Sequence, residues 1–135
     1  MQQLVESIKK NEGYREKVYK CTEGFDTIGY GFAIKDLKLS ESVCDIILEE
    51  KLMELSSEVQ EKFPWLTDMP QEVCHVILEM CYQMGVAGVS KFKKTISYLQ
   101  EKEWGKASVE MLDSKWAKQT PNRAKRMSEI VKGIK

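Results

Sequence analysis

Residues 11–31, NEGYREKVYKCTEGFDTIGYG, decide the fold because they interrupt a chain that is otherwise patterned for helices. The stretch is rich in aromatic and β-branched residues, which favour strands. Thr22, Glu23 and Gly24 break it in the middle, where a turn is expected. The segment therefore predicts a β-hairpin with strands at about 16–21 and 25–31, followed by a short third strand.

The residues before the hairpin predict a helix at 2–12. Leu4, Val5 and Ile8 recur at helical spacing, and Gly13 is a typical helix-ending residue. We expect this first helix to pack with the larger, helical part of the chain.

The residues after the hairpin predict helices from Ser40 to the end of the sequence. Ser40 or Ser42 can cap a connecting helix at about 40–63, and Pro64 ends it. The apolar side of this helix is expected to comprise Val43, Ile46, Ile47, Met53 and Leu55.

Proline and glycine divide the rest of the chain into shorter helices. Pro70 lies near the start of the next helix, and Gly85 and Gly88 mark a turn. Thr120 and Pro121 fit the N-cap and the first position of the last helix. The remaining helices are predicted at 89–101, 103–112 and about 121–132.

These elements predict an α+β fold that is mostly α, with a small β-hairpin lobe and a larger helical lobe in one domain, residues 1–135. The small lobe is expected at about 13–38, the connecting helix at about 40–63 and the helical lobe at about 70–135. A cleft between two lobes is a place where a long polymeric substrate could bind.

The composition argues against some classes of partner. The 21 basic and 21 acidic side chains give a formal net charge of zero, which gives no reason to expect a nucleic acid as partner. No segment is interpreted as a membrane span, and the N-terminus shows no secretory signal. We expect a monomer that is made in the cytoplasm and has no stable membrane association.

The four cysteines are expected to be free thiols, because no secretory signal accompanies them. Cys44, Cys74 and Cys81 fall among apolar helical positions and are predicted to fill the core. His75 is the only histidine and the cysteine spacings match no zinc site, so we expect neither a metal nor a cofactor.

Glu12 is the residue that says most about chemistry. It lies in the last predicted turn of the first helix, where the helix dipole disfavours a negative charge. A carboxyl group that keeps its proton could protonate the leaving sugar oxygen in glycoside cleavage. An exposed glutamate without a catalytic role has the same local pattern, so spacing alone leaves both interpretations open.

Four more residues of the hairpin are candidates for function. Cys21 and Thr27 lie on its two predicted arms, and each is also explained by packing or by strand propensity. Gly29 and Gly31 recur at a period of two, which indicates either a close approach by another group or a bulge.

Three blocks of this sequence together resemble phage-type lysozymes, the endolysin family of muramidases. In residues 11–31, Glu12, Cys21 and Thr27 match the spacing of the family's glutamate, aspartate or cysteine, and threonine. The other blocks are YQMGVAGVSKF at 82–92 and SKWAKQTPNRAKR at 114–126. The resemblance covers nearly the whole chain in the family's order.

The resemblance implies a lysozyme-like two-lobed fold and a glycoside hydrolase. The implied reaction is hydrolysis of the β-1,4 bond between N-acetylmuramic acid and N-acetylglucosamine in peptidoglycan, for host cell lysis. Glu12 would be the general acid, Cys21 would hold the second catalytic position and Thr27 would help to place the attacking water. A separate pore-forming protein would give the enzyme access from the host cytoplasm to the cell wall.

The other two blocks imply residues that support the reaction. Gln83 matches a glutamine that lines the substrate cleft, and Tyr82 stands where the family commonly has another aromatic residue. Arg123 would lie beside Glu12 and steady its carboxylate. Phe32 departs from the family, many members of which have histidine there.

Cysteine at the second catalytic position leaves the stereochemistry open. A thiolate could activate water in an inverting mechanism or form a covalent intermediate in a retaining one. An ordinary thiol is mostly protonated at neutral pH. Lys20 and Arg123 would favour the thiolate if they lie near Cys21, whereas the Glu12 carboxylate would oppose it.

Two other functions remain open at this stage. A lytic transglycosylase also uses one catalytic glutamate but leaves an anhydro sugar, and Thr27 with a second polar residue favours hydrolysis over it. A non-catalytic peptidoglycan-binding module would retain the cleft but would sediment with cell walls without clearing them.

Overall fold

A computed structural model describes the whole chain, Met1–Lys135. The chain divides into two compact units, Met1–Asp45 and Ile46–Lys135. Helices account for most of the residues, and one small antiparallel sheet accounts for the strands. The predicted fold class, α+β and mostly α, is therefore confirmed.

The first unit begins with helix α1, Gln2–Glu12, as the sequence predicts. Gly13 ends it, and its backbone N–H donates a hydrogen bond to the carbonyl of Lys9. Leu4, Val5 and Ile8 are all exposed on this helix. The helix belongs to the same unit as the sheet, whereas the sequence favoured the helical lobe.

Three strands follow α1 and form a sheet in the order β1-β2-β3. They are β1, Arg15–Lys20, β2, Asp26–Gly29, and β3, Phe32–Ala33. The predicted hairpin and the short third strand are confirmed. Strand β2 ends at Gly29, two residues before the predicted end, because Gly29 and Gly31 adopt φ values of 69° and 76° and the chain turns there.

The sheet register brings Thr27 opposite Tyr19 on β1 and opposite Ala33 on β3. Thr27 therefore lies on the central strand, and it is the only buried residue among Met1–Asp45. A threonine at such a position needs a hydrogen-bond partner for its hydroxyl, because burying an unpaired polar group is unfavourable.

Helix α2, Glu41–Lys62, starts and ends within one residue of the predicted limits. Ser40 caps it, since the N–H of Val43 donates to Ser40 Oγ at 3.3 Å. The predicted apolar side is wrong, because Val59 is the only buried residue of this helix and Val43, Ile46 and Met53 are exposed. Apolar residues occur all around α2, so no single face gathers them.

The rest of the second unit is built from helices. They are α3, Gln71–Ser90, α4, Lys93–Gln100, α5, Trp104–Leu112, α6, Lys115–Gln119, and α7, Pro121–Lys132. Short 3₁₀ turns occupy Ile34–Asp36 in the first unit and Pro64–Asp68 in the second. The sequence did not predict α6, and it placed the start of α4 about four residues too early.

The sequence predicted a turn at Gly85 and Gly88 and an N-cap at Thr120. Gly85 adopts a φ of 80° and kinks α3, so the predicted break is found at Gly85, whereas Gly88 stays helical. Thr120 precedes α7, but its hydroxyl donates to the carbonyl of Trp116 at 3.0 Å and does not cap the helix.

The hydrophobic core lies in the second unit and is formed by α3, α5 and α7 with neighbouring residues. Helix α3 alone is long and apolar enough to cross a membrane by length and composition, with a mean hydropathy of 1.3. The sequence analysis interpreted no segment as a possible membrane span, whereas the 20 residues of α3 have the required length and hydropathy. Seven of its side chains are buried in the core, which is the usual state of a central helix in a globular unit.

The cysteines only partly follow the prediction. Cys81 is buried in the core as expected, and Cys74 is half-buried and packs against it. Cys44 is exposed, so its predicted place in the core is wrong. It lies on α2, whose apolar residues are not gathered on one face.

Candidate active site

Glu12 is the last residue of α1, and the turn between β2 and β3 lies against its side chain. Lys9 and Lys10 occupy the same last helical turn, where basic residues complement the helix dipole. The carboxyl group of Glu12 contacts Gly31, which has no side chain to displace it. The first unit therefore holds a carboxylic acid at the junction of a helix end and a tight turn.

Cys21 follows β1 and begins the turn of the hairpin. Its backbone N–H donates to the carbonyl of Phe25 at 3.0 Å, and the N–H of Gly24 donates to the Cys21 carbonyl at 2.9 Å. Hydrogen bonds from the backbone of Phe25 and then of Glu23 lower the pKa of the Cys21 thiol. Desolvation and the Glu23 carboxylate oppose this effect but do not cancel it.

The turn, and not Lys20, favours the Cys21 thiolate. The ammonium group of Lys20 lies 2.7 Å from Asp26 Oδ1, so this cation is paired across the hairpin. The expected help from Lys20 is replaced by backbone N–H groups, which point inward in a tight turn and bind anions well. No cation is among the groups that lower the pKa of the Cys21 thiol.

Thr27 contributes to the same turn. Its hydroxyl donates to the carbonyl of Phe25 at 2.9 Å, which satisfies the buried side chain. The Thr27 hydroxyl also contributes to lowering the pKa of the Cys21 thiol, because it can turn from the Phe25 carbonyl to donate to a thiolate. The structure brings this predicted pair together within the first unit.

Gln83 is held by Trp116 in the second unit. Trp116 Nε1 donates to Gln83 Oε1 at 2.8 Å and so fixes the orientation of the amide. The amide nitrogen of Gln83 is left to donate to a ligand carbonyl. Trp116 is only 4% exposed and packs edge-on against Phe92, which makes it a rigid support.

A groove of about 560 Å³ lies beside Trp116 on the surface of the second unit. Phe92 and Trp116 form part of its wall. Its charged residues are Lys91, Lys93, Lys94 and Lys115, with Glu110 and Asp113. The groove can therefore contact both apolar and charged parts of a ligand.

Tyr82 and Arg123 line a different groove, of about 620 Å³, which α2, α3 and α7 form. The Arg123 guanidinium lies 3.9 Å from Glu79 Oε1 in this groove. Tyr82 is exposed, and its neighbour Gln83 faces Trp116 instead. Tyr82 and Gln83, which the sequence grouped as substrate-binding residues, therefore lie on different surfaces of the second unit.

A family model described as phage lysozyme matches residues 9–132, which is most of the chain. The chain belongs to the phage lysozyme family. The match includes the last turn of α1, the sheet and every helix of the second unit, so it covers all the residues of the candidate site. Family membership gives the general class of activity, a muramidase-like peptidoglycan hydrolase.

Two probable lysozymes are among the proteins that are similar to this chain. The chain is 28% identical to probable T4-type lysozyme 1 of Dictyostelium discoideum, an alignment that covers 95% of this chain and 92% of that protein. Probable T4-type lysozyme 2 of the same organism is 26% identical, with 94% and 92% covered. The pre-baseplate central spike protein Gp5 of Enterobacteria phage T4 is 29% identical over 95% of this chain but only 27% of that protein.

Within this member of the phage lysozyme family, the predicted site residues fall into four local groups. Glu12 lies against Gly31, Cys21 lies beside Thr27, and Gln83 is held by Trp116, while Tyr82 and Arg123 line one groove of the second unit. The predicted contact of Arg123 with Glu12 stays a prediction. Sequence reasoning missed Trp116 as the partner of Gln83, although the residue lies inside the third block of the resemblance.

Proposed function

We propose that this phage lysozyme hydrolyses the β-1,4 bond between N-acetylmuramic acid and N-acetylglucosamine in peptidoglycan. Glu12 is the general acid of this proposal, and Cys21 with Thr27 forms the second half of the catalytic site. The observation that carries it is the hydrogen-bonded turn that lowers the pKa of Cys21, because it prepares a base or nucleophile in the unit that contains Glu12.

The order of proton transfers follows from the two groups. Glu12 protonates the glycosidic oxygen as the bond to the leaving sugar breaks. The Cys21 thiolate either takes a proton from the attacking water or attacks the sugar itself, in which case water later releases the covalent intermediate. In the second route Glu12, which is a carboxylate after the first step, accepts the proton of that water. The Thr27 hydroxyl donates to the Phe25 carbonyl and so stabilises the turn that carries Cys21.

The substrate-binding part of the proposal rests on Gln83. Its amide nitrogen is free to donate because the amide oxygen already accepts a hydrogen bond from Trp116. Acetamido carbonyls occur on both sugars of the glycan and are acceptors of the required kind. Tyr82, which is exposed, can offer an aromatic face to a sugar ring.

The biological setting is part of the same proposal. The enzyme acts in host cell lysis, is made in the host cytoplasm and reaches the cell wall after a pore-forming protein has opened the membrane. A phage protein among the relatives is consistent with a phage origin. We propose that the enzyme works as a monomer.

The first test is mass spectrometry of purified peptidoglycan after digestion with the protein, with Glu12→Gln as the inactive control. We expect fragments that end in reducing N-acetylmuramic acid, and we expect at least a roughly 10³-fold loss of rate for the variant because the proton donor is removed. Anhydro-muramic ends would make the protein a lytic transglycosylase. Binding without fragments from the wild-type protein would make it a binding module.

A further inference from the structure

Gly31 lies in the turn between β2 and β3, directly against the Glu12 carboxyl group. A Cβ atom at this position would lie 2.5 Å from Glu12 Oε2 and 3.0 Å from Glu12 Cδ. Non-bonded heavy atoms keep about 3.5 Å apart, so a methyl group would push the carboxylate by roughly 1 Å.

Other glycines of the first unit do not have this relation to a functional group. Gly13 and Gly24 also adopt positive φ values, but a Cβ atom on either would meet nothing within 4 Å. A Cβ on Gly29 would lie 2.7 Å from the Phe32 ring, which is a side chain on the same turn. Among these glycines, only Gly31 adjoins the proposed acid.

We propose that Gly31 is a positioning residue for Glu12. Its bare backbone leaves room for the carboxyl group beside the sheet that carries Thr27, in a place that any side chain at this position would occupy. A general acid must lie within hydrogen-bonding distance of the oxygen that it protonates, and a misplacement of about 1 Å can lower the rate roughly 10²-fold. The inference rests on the proposed function, because it requires Glu12 to be the proton donor.

A double-mutant cycle tests the contact without any measurement of activity. Gly31→Ala combines two effects, backbone strain at positive φ and crowding of Glu12. Gly24→Ala has the strain alone and serves as the stability control. We expect Gly31→Ala to lower the thermal midpoint slightly more than Gly24→Ala does, because the crowded atoms are the far end of a flexible side chain. We expect this small excess to disappear when Glu12→Ala is present in the same chain. If Gly31→Ala still lowers the thermal midpoint more than Gly24→Ala in chains without the Glu12 side chain, the proposed contact is wrong.

Steady-state kinetics then test the role of this contact. In Gly31→Ala we expect kcat to fall roughly 10²-fold while KM stays within about threefold, because the acid and not the substrate is displaced. Unchanged kcat in Gly31→Ala, beside an inactive Glu12→Gln, would overturn the positioning role and leave the proposed function intact. Full activity of Glu12→Gln would instead overturn the proposed function, whatever the result of the stability cycle.

Discussion

Cys21 owes its lowered pKa to the backbone of one turn, and this makes a residue-scale prediction. In a Cys44→Ser background, the rate of Cys21 alkylation by iodoacetamide should reach half its maximum at a lower pH than in the same protein unfolded by urea. Thr27→Val should raise that midpoint, since one hydrogen bond to the thiolate is lost. Peptide mass spectrometry locates the modified residue. Equal midpoints in the folded and unfolded protein would contradict the role of the turn.

The same alkylation should remove activity if Cys21 is in the catalytic site. The lowered pKa of Cys21 also determines the direction in which pH changes the stability of the fold. A lowered pKa in the folded state stabilises the fold above the unfolded pKa, and this contribution is lost as the pH falls through the folded pKa. Full activity after complete modification of Cys21 would exclude a catalytic role for its thiol.

Cys81 provides the opposite case at the residue scale. Burial, followed by the charge of Glu58, raises the pKa of its thiol to about 11. The neutral thiol therefore stabilises the fold below the unfolded pKa, and this contribution is lost as the pH rises through about 11. We expect Cys81 to resist alkylation at pH 8 until the protein is unfolded, with exposed Cys44 as the internal control. Rapid labelling of Cys81 in the folded protein would contradict its place in the core.

At the scale of elements, the contact of α6 with α3 yields a prediction about Gln83. Trp116→Phe keeps an aromatic side chain in the core but removes the N–H that donates to Gln83 Oε1. We expect a loss of roughly 1 kcal/mol in the free energy of unfolding. We also expect a KM several times higher with little change in kcat, because the amide is no longer oriented. Trp104→Phe, outside this contact, is the control, and an equal rise of KM in both variants would contradict the prediction.

The sequence predicts most elements because their signals are local. The helix of Gln2–Glu12 and the hairpin after it follow from residue type and from Gly13 and the Thr22–Gly24 break. Helix α6 has only five residues between Ser114 and Thr120, which is too short for a periodic pattern. The apolar side of α2 was assigned wrongly because burial depends on which surfaces meet a helix, and spacing within the helix does not supply that.

The candidate site shows the same limit more sharply. Spacing alone left Glu12, Cys21 and Thr27 open to structural explanations, and the resemblance to phage-type lysozymes selected them as candidates. The sequence left Gly31 open between a close approach and a bulge, and only the structure shows that the Glu12 carboxyl group approaches it. Lys20 was a plausible neighbour of the Cys21 thiolate until its ion pair with Asp26 was seen.

At the scale of the whole molecule, the two units differ in how much they bury. Thr27 is the one buried residue of Met1–Asp45, whereas Ile46–Lys135 contains all the buried apolar side chains. Amide protection against hydrogen exchange depends on local opening, which is easier where few apolar contacts must be broken. We therefore expect the amides of β1–β3 to exchange faster than those of α3 and α7, by roughly 10²-fold or more under native conditions.

Hydrogen exchange followed by mass spectrometry of peptic peptides tests this difference. Peptides from α3 and α7 should become exchangeable only with global unfolding, while peptides from the sheet should exchange at denaturant concentrations that leave the helical unit folded. The exposed termini supply an internal reference for unprotected amides. Identical, slow exchange in both units would mean that the chain unfolds as one cooperative body. In that event contacts beyond the few buried ones would stabilise the first unit, and the turn that contains Cys21 would be as stable as the core.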